Sequence, residues 1–359
     1  MPLIIEADRV PKRWAEKHAQ PNRSDRMFRD ANAIRIAFIN NMPDPALEDT
    51  ELQFFDLLHA AADETPVSVT LFSLPGVERT GPAQEHVSTC YSPIADLWRM
   101  RFDAAIITGT EPRQSNLRNE PYWTVLSAVF DWAAHNTSST ILSCLAAHAA
   151  VLHIDGIGRY RKAEKCAGVF DVKVASDHPL FDGMPGTYQI PHSRWNELRE
   201  EELVSKDYTI LTRSNDAGVD AFVKKTRNSV FLHFQGHPEY GAHTLLKEYR
   251  RDVKRFLRGE RDDYPTMPRG YFNEAARLPL AAFQEKAENH RTEDLMEAFP
   301  QDAVEAALER SWELPSRRIY TNWLKYVSTR KADRQRFAPV TRVRASGVTQ
   351  THRKRSAAS

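Results

Sequence analysis

The sequence predicts an α/β protein of three layers, a mainly parallel sheet with helices on both faces. Three observations lead there. Short apolar, β-prone runs alternate with amphipathic helical stretches from residue 33 to residue 153, the pattern of a sheet covered on both sides. One run, residues 103–109 (DAAIITG), is apolar almost throughout and ends in glycine, as expected of a strand buried on both faces. Another, residues 140–144 (TILSC), passes directly into an Ala-rich helical stretch, residues 145–153 (LAAHAAVLH).

The elements follow in order. Residues 1–32 are a mixed, charged leader. Residues 33–39 (AIRIAFI) read as a strand, 50–61 (TELQFFDLLHAA) as a helix by spacing, and 67–73 (VSVTLFS) as an alternating strand. Residues 122–135 (YWTVLSAVFDWAAH) form an amphipathic helix ahead of the strand at 140–144. Later strands are expected at 169–174, 208–211, 221–224 and 230–234, with a basic helix at 244–257. Residues 33–258 therefore make the α/β core. Residues 259–329 are loop-rich and then helical, and are expected to close on the core. Residues 330–359 hold nine Lys/Arg and one Asp with no apolar period, and read as a basic disordered tail.

Composition narrows the function classes. With 49 Lys+Arg against 48 Asp+Glu, the 359-residue chain is nearly neutral. The tail carries about +8 of that balance, so the remainder is mildly acidic, and nucleic acid is not the expected partner. Seven Trp, 11 Tyr and 17 Phe supply a core and exclude disorder of the whole chain. No apolar run is long enough for a membrane span, and the N-terminus has charges where a signal peptide needs apolar residues. Cys90, Cys144 and Cys166 are too scattered for a disulfide framework or a metal site. A cytoplasmic protein with free thiols and no metal is expected.

Cys144 lies where a strand ends and a helix begins. Such a corner pushes one side chain out and aims helix N–H groups at it, which favours a thiolate and provides an oxyanion site at the backbone of Leu145. A buried cysteine packed as a small hydrophobe is the plain alternative. In FLHFQGHPEY (231–240) a strand ends at a His two residues before a Glu, with Pro238 stiffening the turn. His237 can act as base and Glu239 can orient it. Cys144, His237 and Glu239 complete the three roles.

These residues and the segments around them resemble the homoserine O-succinyltransferases, acyltransferases of methionine biosynthesis within the class I glutamine amidotransferase-like superfamily, a flavodoxin-like fold. The resemblance runs through NNMPDPALEDTELQFFDLL (40–58), FDAAIITGTEPRQSNLRNEPYW (102–123), SSTILSCLAAHAAVLHIDGI (138–157), EKCAGVF (164–170), PHSRWNEL (191–198), GHPEYGAHTLLKEYRRDV (236–253) and TNWLKY (321–326). It covers about residues 33–329, with a longer insertion at 259–319. It implies Cys144 as acyl-thioester nucleophile, His237 as base, Glu239 as its partner, and Lys165, Ser193 and Arg251 as substrate-binding positions. It implies acyl-CoA and homoserine as substrates, with no cofactor beyond acyl-CoA as co-substrate, and it leaves a homodimer open. Two departures stand out. The lysines that the family carries after its Met-Pro are replaced by Asp44, Pro45, Ala46 and Leu47. The position that sorts acyl donors holds Arg113, where relatives resemble Gly for succinyl and Glu for acetyl transfer. The expectation is succinyl transfer, with acetyl-CoA or a related amino-alcohol as the alternatives. A glutamine amidotransferase or hydrolase, and a non-catalytic binding protein on the same scaffold, are the rival readings. The elbow SCLAA lacks the glycines usual around the amidotransferase cysteine.

Overall fold

The computed structural model describes residues 3–7, 9–18, 33–63, 65–306 and 308–336. Among them ten strands form one sheet: β1 (Ile4–Ile5), β2 (Ile34–Ile39), β3 (Val67–Phe72), β4 (Ala104–Ile107), β5 (Ser139–Ser143), β6 (Tyr160–Val174), β7 (Thr187–Glu197), β8 (Thr209–Ser214), β9 (Gly218–Lys225) and β10 (Val230–Phe234). Their order is β1-β3-β2-β4-β5-β10-β9-β8-β6-β7. From β1 to β10 every pairing is parallel. With the short β1 set aside, this half has the 2-1-3-4-5 order of a flavodoxin-like doubly wound sheet. From β10 to β7 every pairing is antiparallel. Short connections suffice there because antiparallel neighbours need no crossover helix.

Alternation along the parallel strands sorts their side chains to two cores. Ile34, Ile36 and Phe38 of β2 pack with Phe54 and Phe55 of the helix Leu47–Ala61 and with Tyr320 and Trp323 of the helix Glu313–Arg336. Ala37 and Ile39 face the other way, with Val129 and Phe130 of the helix Trp123–Asn136 and Ala146 and Ala149 of the helix Leu145–Asp155. A third cluster joins the helix Thr244–Leu257 to the C-terminal extension, through Tyr249 and Val253 against Tyr271, Phe272, Phe283 and Trp312.

The extension reaches back to the sheet at one tight crossing. Arg269 N–H donates to Ala167 O (2.9 Å) and Val169 N–H to Arg269 O (2.7 Å). Gly168 lies between them at φ +147°, and a Cβ there would meet the Arg269 carbonyl oxygen at 2.2 Å. The glycine of EKCAGVF is therefore the residue that lets the extension cross β6.

The two chain ends both engage the fold, and the C-terminal boundary needs correction. The leader enters the fold: β1 pairs with β3 at Ile4↔Ser68, and Trp14 is fully buried against Phe55. At the other end the helix Glu313–Arg336 runs past the expected boundary at residue 330. Lys331 Nζ donates to Ala33 O (2.6 Å) and reaches Asp103 Oδ2 (2.9 Å), and Arg334 donates to Thr137 O (2.9 Å). Its basic residues thus satisfy carbonyls and a carboxylate at the rim of the sheet, which a charge count reads as solvated tail. The rest of the expected tail, residues 337–359, lies outside the described residues. No described helix is long and apolar enough to cross a membrane.

Candidate active site

β5 ends at Ser143 and the next helix begins at Leu145, so Cys144 alone makes the corner. Its backbone stands at φ 49°, ψ −106°, a conformation an L-residue keeps only under constraint. The Cys144 N–H donates to Phe234 O on β10 at 2.8 Å, and its carbonyl accepts from Ala147 and His148 at 3.0 and 3.3 Å. The sheet holds one side of the corner and the helix the other. The N–H groups of Leu145 and Ala146 open the helix and have no backbone acceptor among the described residues. These two amides form the positive end of the helix beside the thiol. Gly109, just beyond β4, presses on them: a Cβ there would lie 2.4 Å from Leu145 Cβ and 3.1 Å from Leu145 N.

β10 leads to the candidate base. Past Phe234 the chain turns, and His237 N–H donates to Pro191 O at 2.7 Å. The Glu239 carboxylate oxygen Oε1 lies 2.8 Å from His237 Nδ1 and accepts the Ser143 hydroxyl at 2.9 Å. A carboxylate can only accept, so Nδ1 carries the proton and Nε2 is left for the substrate side. Nε2 has no hydrogen-bond partner among the described residues, and the ring feels the charge of Cys144. The imidazole stacks on Tyr240 at 4.1 Å, with 20° between the rings. Burial alone would lower the His237 pKa. The negative charges of Glu239 and of the Cys144 thiolate outweigh it and hold the imidazole well above its ordinary value. Cys144, His237 and Glu239 are therefore brought together as the sequence suggested.

His148, also beside Cys144, is a different kind of histidine. It is buried against Gln235, with Nε2 3.0 Å from Oε1, and burial lowers its pKa to about 3. It stays neutral and positions the Gln235 amide, which in turn accepts from Leu198 N–H and donates to Val219 O.

A second group of residues meets at Glu248, on the helix Thr244–Leu257, which the sequence reading missed. Its carboxylate accepts the hydroxyls of Ser193 and of Tyr240 (2.6 Å for the latter), and Lys165 Nζ lies 3.5 Å away and 2.9 Å from Asp252. Burial alone would raise the Glu248 carboxyl. Lys165 and the two hydroxyls outweigh that and hold it below its usual value, ionised. The pair Glu248 and Asp252 stand one helical turn apart on one face, a spacing visible in KEYRRD (247–252). Arg251 is not brought into this cluster. Its side chain is 47% exposed with Nε 3.6 Å from Asp252, and it lines neither cavity described next.

Cys144 opens on a cavity of about 700 Å³, lined also by Leu145, Ser193 and four arginines, 113, 159, 161 and 194. A neighbouring cavity of about 490 Å³ shares Trp195 with it and holds Lys165, Glu248 and Asp252. Arg113 lines the first cavity, but its guanidinium pairs with Glu78 at 2.8 Å. Residues 44–46 face Arg79 and Thr80 through Asp44 and line neither cavity. Cationic groups come from residue 159, just ahead of β6, and residue 161 within it, and both line the Cys144 cavity.

The family profile described as homoserine O-succinyltransferase matches residues 15–334. The homoserine O-succinyltransferase of Rhodopseudomonas palustris is 44% identical over 82% of this chain and 88% of its own length. That of Bradyrhizobium japonicum is 41% identical over 91% of this chain and 99% of its own, and that of Methylorubrum extorquens 42% identical over 83% and 88%. Among solved structures, a glutamine amidotransferase from Thermotoga maritima aligns with a TM-score of 0.45 at 14% identity, covering 82% of this chain and 98% of that one. From a match over nearly the whole described chain and relatives above 40% identity, this protein belongs to the homoserine O-succinyltransferase family.

Proposed function

We propose that the protein moves a succinyl group from succinyl-CoA to the γ-hydroxyl of L-homoserine through a thioester on Cys144, a step of methionine biosynthesis in the cytoplasm. The observation that carries this reading is the strained Cys144 corner. It sets a thiol between a buried His237–Glu239 pair and the unpaired amides of Leu145 and Ala146, at the mouth of a cavity rich in arginine.

In the first half-reaction the Cys144 thiolate attacks the thioester carbonyl. A C–S bond forms, and the oxyanion lies before the amides of Leu145 and Ala146. Collapse expels CoA, and the His237 imidazolium supplies the proton for the leaving thiolate. Acylation removes the Cys144 charge, one of the two charges that raise the His237 pKa. The imidazole is thereby held in its neutral form, the one that can accept a proton, at the moment a base is needed. In the second half-reaction His237 Nε2 takes the homoserine hydroxyl proton as the oxygen attacks. Cys144 leaves as thiolate, and the imidazolium–thiolate pair is restored. Glu239 keeps the ring in the Nδ1–H form throughout. Glu248, ionised and adjoining Ser193, is the group suited to the homoserine ammonium. The reaction uses acyl-CoA as co-substrate and draws on no prosthetic group.

The test is turnover with purified protein: CoA release and O-acylhomoserine formation from succinyl-CoA and acetyl-CoA, with homoserine, serine and glutamine as second substrates. Succinyl-CoA with homoserine should be the best pair. Ammonia release from glutamine in place of acyl transfer would overturn the reading.

A further inference from the structure

We propose that Arg159 binds the far carboxylate of the acyl group while that group is held on or near Cys144, and so sets the preference for a dicarboxylic acyl donor. The proposal rests on the succinyl-transfer reading above and adds the residue that distinguishes the acyl chain.

Three of the four arginines in the Cys144 cavity are already engaged. Arg194 is buried and its guanidinium donates to the carbonyls of Asn196 (2.8 Å) and Ala217. Arg113 and Glu78 form an ion pair whose side chains are 65% and 69% exposed, so water screens the Arg113 charge. Arg161 is exposed and lies over the Trp195 ring at 4.7 Å. Arg159 is half-buried, and among the described residues no carboxylate stands within ion-pair distance of it. Its hydrogen bond there is a long one, Nη2 to Gln114 O at 3.5 Å. Glu120, a carboxylate whose charge reaches Arg159, is buried and accepts the N–H groups of Arg113 and Gln114, both at 2.6 Å.

A guanidinium taken partly out of water without a counter-ion is unfavourable, and a planar carboxylate restores two charge-assisted hydrogen bonds. Burial lowers the Arg159 pKa from its ordinary value, yet the group remains charged at any working pH. Arg159 and Cys144 line the same cavity. A succinyl thioester carries its carboxylate two methylenes from the carbonyl carbon, and acetyl or butyryl thioesters carry none. The phosphates of CoA are the other anions that enter with the donor. The exposed Arg113 and Arg161 suit them better, because a phosphate keeps much of its water.

The experiment compares kcat/KM for succinyl-CoA and for butyryl-CoA, a donor of equal acyl length without the carboxylate, in wild type, Arg159→Met, Arg159→Lys and Arg113→Gln. Labelling of wild-type Cys144 by succinyl-CoA, read by intact mass, tests the underlying reading separately. The succinyl-to-butyryl ratio should fall by roughly ten- to a hundredfold in Arg159→Met, with Arg159→Lys between it and wild type. In Arg113→Gln the ratio should move by less than about threefold. Equal losses for both donors would assign Arg159 to CoA or to structure and overturn the proposal. So would a ratio that collapses in Arg113→Gln but not in Arg159→Met. The butyryl rate of each variant is its own control for folding.

Discussion

Replacing Glu239 by Gln removes one negative charge and keeps the shape. In the structure Glu239 is 6% exposed, and its Oε1 serves both His237 Nδ1 at 2.8 Å and Ser143 Oγ at 2.9 Å. A buried hydrogen bond to a charged group contributes about 1.5–3 kcal/mol. If that contribution is expressed in the transition state, turnover falls roughly 10- to 150-fold. The pH dependence has a definite sign. Glu239 raises the His237 pKa, so its neutral replacement lowers it. Transfer from the acyl-enzyme to homoserine needs the neutral imidazole, and its rate rises with pH through that pKa. In Glu239→Gln the rising limb should therefore move to lower pH while the plateau drops. The assay is single-turnover transfer from preformed acyl-enzyme, followed from about pH 5 to 9. A limb that stays in place or moves to higher pH, or a plateau within threefold of wild type, would refute the assignment of Glu239 as the charge that sustains the base.

Two further outcomes follow from the geometry. Gly109→Ala places a methyl 2.4 Å from Leu145 Cβ. Overpacking of this kind costs about 1–3 kcal/mol. Thermal unfolding should show that loss, and displacement of the Leu145 amide should cut acylation by on the order of 10²-fold; unchanged acylation would remove Leu145 from the oxyanion site. Glu248→Gln should raise the homoserine KM by about tenfold or more while leaving the rate of Cys144 acylation within about threefold, measured by steady-state kinetics and by CoA release without acceptor. A defect confined to acylation would show that Glu248 serves the donor instead.

The parallel half of the fold was legible because strands buried on both faces are apolar throughout, as in residues 103–109, and because helices on a sheet show a 3.6-residue period. The antiparallel half was harder to read. β7 (Thr187–Glu197) carries Pro191, His192, Arg194 and Asn196, a polar content that argues against a strand. These polar residues have partners in the fold: Ser193 and Arg194 line the Cys144 cavity, and His192 packs against Asp220, with which it forms a fully buried pair at 3.2 Å. The convergence of Cys144, His237 and Glu239 was legible from local order, since elbow and His-Pro-Glu turn each lie within one short segment. Glu248 was not, because its role depends on Ser193, Lys165 and Tyr240 arriving from other elements. Arg113 drew notice through its position after β4, and the structure gives it to Glu78. Arg159 lies hidden in a run of basic residues, where only the fold shows which charge lacks a carboxylate partner among the described residues.

The claim on which the rest depends is that Cys144 carries the acyl group. Purified protein mixed with succinyl-CoA and no acceptor should gain the mass of one succinyl group, located on Cys144 by peptide mapping, and homoserine should discharge it. Cys144→Ala should gain nothing. An adduct on Cys90 or Cys166, or succinyl transfer to homoserine that persists in Cys144→Ala, would contradict the account.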